Sequence, residues 1–123
     1  MTRWLLSLLL VAAIAAPAAQ AQDTVDVSIG KFATFVDEDT VQAQITVTCV
    51  GTVLEAFAYV VQRDHNSDFG FFNPICDGLT RSYTVTIEAA EEETFRRGRA
   101  RVSAFVLLES GVSASPTRLV VFR

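Results

Sequence analysis

The densest set of ligating groups in the chain is Asp64-His65-Asn66-Ser67-Asp68. Its D-x-N-x-D spacing sets oxygen donors at alternate positions, as a calcium loop does. The comparison stops at Phe69, where such a loop needs a turn glycine, and at Ile75, where it needs a bidentate glutamate. Asp64, Asn66 and Asp68 are therefore a weak candidate metal set, and a solvated polar turn is the simpler account. His65 is the single histidine, so any Ser-His-Asp or Cys-His relay must be built around it, with Asp64 or Asp68 as its nearest acids in sequence. The carboxylate runs Asp37-Glu38-Asp39 and Glu91-Glu92-Glu93 lie in turn-like segments, whereas a glycosidase needs two carboxyls across a cleft. Arg96, Arg97, Arg99 and Arg101 follow the second acidic run closely, and local pairing across that turn is the expectation. The residues point to a protein without catalysis and without a cofactor.

Cys49 and Cys76 are the two cysteines, and their spacing is not C-x-x-C. In an oxidising compartment they are expected to pair, which removes both as nucleophiles. The start of the chain agrees with such a compartment. Arg3 precedes the 13-residue apolar run Trp4 to Ala16, Pro17 breaks it, and Ala19-Gln20-Ala21 offers small residues for cleavage. Residues 1–21 read as a signal peptide whose run is shorter than the roughly 20 residues of a membrane span. With no lipid-attachment cysteine at the cleavage point, the processed chain is expected to be secreted or periplasmic, with no membrane span. The formal charge of −4 becomes −5 when Arg3 leaves (9 basic against 14 acidic residues), a poor match to nucleic acid.

The elements that must position these residues have a period of two. Val41, Ala43, Ile45, Val47 and Cys49 alternate with Gln42, Gln44, Thr46 and Thr48. Tyr83, Val85, Ile87 and Ala89 alternate with Ser82, Thr84, Thr86 and Glu88. Both are half-buried strands. Further strands are expected at Thr24–Ile29, Val53–Gln62, Gly98–Leu108 and Thr117–Arg123, with a short one near Phe32–Val36. No convincing helical period occurs after the leader; Glu88–Arg97 comes nearest. The connection from Arg63 to Leu79, with Gly70, Pro74 and three phenylalanines, is expected to pack down. Residues 22–123 thus read as one all-β domain, an antiparallel immunoglobulin-like β-sandwich of about seven strands.

The alternating strand ending in Cys49, then ICDG (Ile75–Gly78), YTVTI and FRRGRARVSAFV resembles small secreted single-disulfide immunoglobulin-like domains of unknown function, found mainly in actinobacteria-type bacteria. The resemblance implies a fold and export; it brings no catalytic or binding residues. Against the antibody pattern, the cysteines are close in sequence and the single tryptophan, Trp4, is in the leader. The expected bridge therefore ties the end of the Val41–Val50 strand to the long connection.

Charged residues indicate which way each strand faces, because they turn to water. Glu55 puts Phe57, Tyr59 and Val61 outside; Arg99 and Arg101 put Phe105 and Leu107 outside; Arg118 puts Val120 and Phe122 outside. The inward set is then Leu54, Ala56, Ala58 and Val60 with Ala100, Val102, Ala104 and Val106. Phe57, Tyr59, Phe105, Leu107, Val120 and Phe122, with Arg99 and Arg101 toward the rim, form the candidate binding face, since exposed apolar patches mark partner surfaces. Its partner is expected to be a protein or envelope component, with a homodimer as one form. Two readings compete: Phe69, Phe71 and Phe72 could fold over the face as a small second core, or roof a pocket for a small ligand.

Overall fold

A computed structural model describes residues 22–123; the leader assigned to residues 1–21 lies outside the described residues. The strands are β1 (Thr24–Ile29), β2 (Phe32–Asp37), β3 (Thr40–Val50), β4 (Val53–Gln62), β5 (His65–Asn66) and β6 (Gly70–Phe71). They continue with β7 (Arg81–Glu88), β8 (Gly98–Leu108), β9 (Ser113–Ala114) and β10 (Thr117–Phe122). The described residues contain no helix. All seven expected strands are present, and β5, β6 and β9 are short additions.

The strands form two groups that share one core. In the first, β3 runs antiparallel between β7 on one side and β1 and β2 on the other. In the second, β8 runs antiparallel between β4 and β10. The alternation seen in sequence is what buries Val41, Ala43, Ile45, Val47 and Cys49 of β3 and Ala100, Val102, Ala104 and Val106 of β8 in a common cluster. Burying each Val or Ile stabilises the fold by roughly 1.5–3 kcal/mol, so this two-sided cluster is the main force holding the groups together.

The pairing is not purely antiparallel. Thr34, Phe35 and Asp37 of β2 pair with β3, but Phe32 and Ala33 run parallel to Val121 and Phe122 of β10. The break at Gly30-Lys31 lets the chain leave β1 and reach the other group. There the carbonyls of Lys31 and Ala33 accept from the amides of Val121 and Arg123. β2 thereby makes hydrogen bonding continuous between the groups.

The outer face of the first group is polar, as its sequence indicated. Register places Gln44 opposite Thr84 and Thr46 opposite Ser82. The Gln44 amide donates to the Thr84 hydroxyl at 3.1 Å, and the Thr46 and Ser82 hydroxyls lie 3.2 Å apart. Such cross-strand polar pairs each contribute a few tenths of a kcal/mol up to about 1.

The disulfide forms between Cys49, buried at the end of β3, and Cys76 in the long connection, with Cα atoms 4.5 Å apart. The sequence separation of 27 corresponds to about 3.5 kcal/mol of lost denatured-state entropy in the chain-entropy account. Beside it Asp77 makes a tight turn: its carboxylate accepts from the Leu79 amide and pairs with the Arg81 guanidinium. The Arg81 hydrogen bond, reinforced by the Leu79 amide, holds the Asp77 carboxyl below its ordinary range.

Candidate functional site

Strand register builds the outer face of the second group row by row. Glu55 is paired with Leu107, Phe57 with Phe105, Tyr59 with Ser103, and Val61 with Arg101. Across β8, Ser103 meets Thr117, Arg101 meets Leu119, and Arg99 meets Val121. Phe57, Tyr59, Phe105 and Leu107 are half-buried on this face, while Arg99 and Arg101 are exposed.

Two of the expected face residues lie in the core. Val120 and Phe122 are each 1% exposed, whereas Leu119 and Val121, their alternates, are 64% and 37% exposed. Arg118 misled because it sits at the margin of the core side, where its long side chain reaches out and donates to the Ile29 carbonyl at 2.7 Å. Phe122 stacks edge-on against the buried Phe95. Leu54, expected inward, is 62% exposed. A register shift between Val53 and Glu55 reverses the side-chain alternation there.

The long connection does not fold over the face; it widens it. Arg63 and Asp64 both take positive φ (52° and 65°), forming a two-residue turn that brings Asn66 opposite Val61. The chain then returns as β6, with Phe71 opposite Phe57 and Gly70 opposite Ala58. Alternation sends Phe69 and Phe71 to the outer face, 56% and 68% exposed, and Phe72 to the core side against Tyr83. The three phenylalanines therefore do not line one common wall. Phe57 is the hub of the cluster, 4.7 Å from Phe69, 5.3 Å from Phe105 and 6.1 Å from Phe71, centroid to centroid. Tyr59 stands edge-on to Phe69. A shallow depression of about 380 Å³ lies among Phe57, Tyr59, Val61 and Phe69.

Gly70 makes this arrangement feasible. A Cβ there would lie 2.5 Å from the Thr86 carbonyl oxygen and about 3 Å from the Ile87 and Val85 side chains. The β6 backbone is thus wedged against β7, and nothing larger than hydrogen fits between them.

The D-x-N-x-D stretch is absorbed by this hairpin. Asp64 sits in the turn and Asn66 in β5, while the Ser67 hydroxyl accepts from the Val60 amide and donates to the Asp68 carbonyl. Among the described residues no group of three or more His, Cys, Asp or Glu side chains converges on a metal position. His65 lies in the open, its Nδ1 3.3 Å from Glu93.

The expected pairing of Glu91–Glu93 with the arginines does not form. Glu93 turns to His65, Arg97 stacks on Phe35 at 4.8 Å, and the Arg96 backbone is gripped by Gln62. Gln62 is buried at the end of β4, where its amide accepts from the Arg96 N–H and donates to the Arg96 and Arg99 carbonyls. This clamp fixes the approach to β8 and hence the placement of Arg99.

Compared with models of known protein families and with curated proteins, the sequence matches none.

Proposed function

We propose that this chain is an exported, non-catalytic binding domain with an immunoglobulin-like β-sandwich fold. Its working surface is the outer face of β4, β8 and β10, widened by β6. The observation that carries the reading is the five-ring cluster on one face, in which Phe69 and Phe71 are exposed and Phe57, Tyr59 and Phe105 half-buried, while the opposite face is a polar ladder. A folded chain gains little by exposing such rings, and aromatic residues flanked by arginine are the residue types that carry binding energy at interfaces. The partner class is a protein or envelope component. The disulfide is compatible with export into an oxidising compartment. The division of strands into β1-β3-β7 and β4-β8-β10 supports the immunoglobulin-like assignment.

A small-ligand carrier is the second reading, favoured by the depression of about 380 Å³ beside Phe57 and Phe69. The two separate in a capture experiment. The oxidised chain is immobilised against the producer's envelope extract and spent medium, beside a folded Phe57→Ser/Phe105→Ser variant. Loss of a retained macromolecule in the variant supports the interaction surface. Equal background in both rejects it, and retention of a small molecule by native mass spectrometry then supports the carrier.

A further inference from the structure

We propose that the occupant of this face is a second copy of the chain, packed face to face about a two-fold axis that runs across the strands. The inference rests on reading the face as a binding surface. Along the strand direction the rows run from Glu55 with Leu107, through Phe57 with Phe105 and Tyr59 with Ser103, to Val61 with Arg101 and finally Arg99 with Val121. Acid stands at one end, two arginines at the other, and the aromatic rings between. Among the described residues, neither Glu55 nor Arg99 nor Arg101 has an ion-pair partner.

Symmetry turns this polarity into self-complementarity. A two-fold axis across the strands reverses strand direction in the copy, so the Glu55 end of each chain lies over the Arg99 and Arg101 end of the other. The Tyr59 row lies over itself. The Phe57–Phe105 row lies over the Val61–Arg101 row, which brings a guanidinium onto a phenyl face, a favourable cation–π contact. An axis along the strands would instead set Glu55 on Glu55 and arginine on arginine. The charge pattern therefore selects one arrangement, an isologous contact of the kind that closes a dimer. Aligned packing of two twisted sheets is also a common solution for face-to-face contact.

The size of the face is adequate. Four row intervals of about 6.7 Å and four strands at about 4.8 Å span roughly 27 by 19 Å, about 500 Å² in projection. Protruding rings raise the accessible area above the projected one, toward the 600–1,000 Å² per partner of a stable interface. The two net-acidic copies repel at long range, but salt near 0.15 M screens that beyond about 8 Å, whereas opposite charges pair at contact.

Sedimentation of the oxidised processed chain, residues 22–123, from micromolar to about 1 mM, the range in which a weak dimer is populated, tests the proposal. The expected result is a monomer–dimer equilibrium that high salt weakens. Glu55→Arg alone and Arg99→Glu/Arg101→Glu together should each weaken it at least about tenfold, since each sets like charges opposite one another. Mixing the Glu55→Arg chain with the Arg99→Glu/Arg101→Glu chain should restore association, because the contacts between position 55 and positions 99 and 101 are then between opposite signs at both ends of the mixed dimer. A wild type that stays monomeric throughout, a dimer indifferent to both variants, or a mixture no tighter than its components overturns the proposal. Circular dichroism and an intact disulfide establish that each variant is folded. If the chain is monomeric yet retains another macromolecule through Phe57 and Phe105, the second-copy inference fails and the binding-face reading stands.

Discussion

Replacing Gly70 by alanine sets two effects of opposite sign against each other. Gly70 does not have a positive φ, unlike Gly51, Gly78, Gly98 and Gly111. On backbone grounds alone the change should therefore stabilise the fold by about 0.4–1 kcal/mol, because alanine has fewer unfolded conformations to lose. Packing says the reverse. The new methyl would sit 2.5 Å from the Thr86 carbonyl oxygen, and Thr86 is held in the β3–β7 ladder opposite Gln42. The nearest atom is backbone and cannot swing aside, so β6 must retreat by several tenths of an ångström, loosening its pairing with β4. Overpacking of this kind costs about 1–3 kcal/mol. Midway values, about 2 kcal/mol lost against about 0.7 gained, leave a net loss of about 1.3 kcal/mol, which at roughly 4–8 °C per kcal/mol for a domain of this size lowers the melting temperature by about 5–10 °C. Thermal unfolding followed by circular dichroism on the oxidised protein measures it. Gly111→Ala, where no atom lies within 4 Å but φ is 93°, isolates conformational strain without a clash. A Gly70→Ala protein that melts at or above the wild-type temperature would refute the wedge of β6 against β7.

Gln62→Leu removes all three bonds to Arg96 and Arg99 and should cost about 2–4 kcal/mol by urea denaturation, at roughly 1 kcal/mol for each bond. Phe122→Ala should lose about 3–5 kcal/mol as a core truncation, while Leu119→Ala, on the exposed side of the same strand, should stay within about 0.5 kcal/mol; a larger loss for Leu119→Ala than for Phe122→Ala would put β10 in the opposite orientation. Because folding lowers the Asp77 carboxyl through Arg81 and the Leu79 amide, its contribution is present above the unfolded value of about 3.9 and fades as pH falls through the lower folded one. The wild-type advantage over Asp77→Asn, read as melting temperature between neutral pH and about pH 3, should therefore shrink on acidification. Reducing the disulfide should remove about 3.5 kcal/mol, seen as a lower urea midpoint.

The strands were legible in the sequence because each has a strict two-residue period or sharp turn signals, and β1, β4 and β8 begin and end where the pattern put them. β10 carries no such signal. In TRLVVFR both parities are apolar from Leu119 to Phe122, so one charge decided the orientation, and Arg118 is long enough to escape from the core side to the Ile29 carbonyl. β4 shows a second limit, since one bulge at its start turned Leu54 to solvent while leaving the parity from Ala56 onward intact. The parallel pairing of β2 with β10 depends on contacts between the two ends of the domain, and no local pattern encodes it.

The long connection departs furthest from expectation, because its three phenylalanines do not share one side. A strand period applied to Phe69-Gly70-Phe71-Phe72 separates them, sending Phe69 and Phe71 to one side and Phe72 to the other. The buried glycine between two exposed rings is the local sign that this segment is an edge strand pressed against a neighbour rather than a lid. Once β6 is a strand, its exposed rings cannot act as a cover and must extend the surface of β4. The Glu55-to-Arg99 polarity across that sheet makes a second copy of the chain its best-matched occupant.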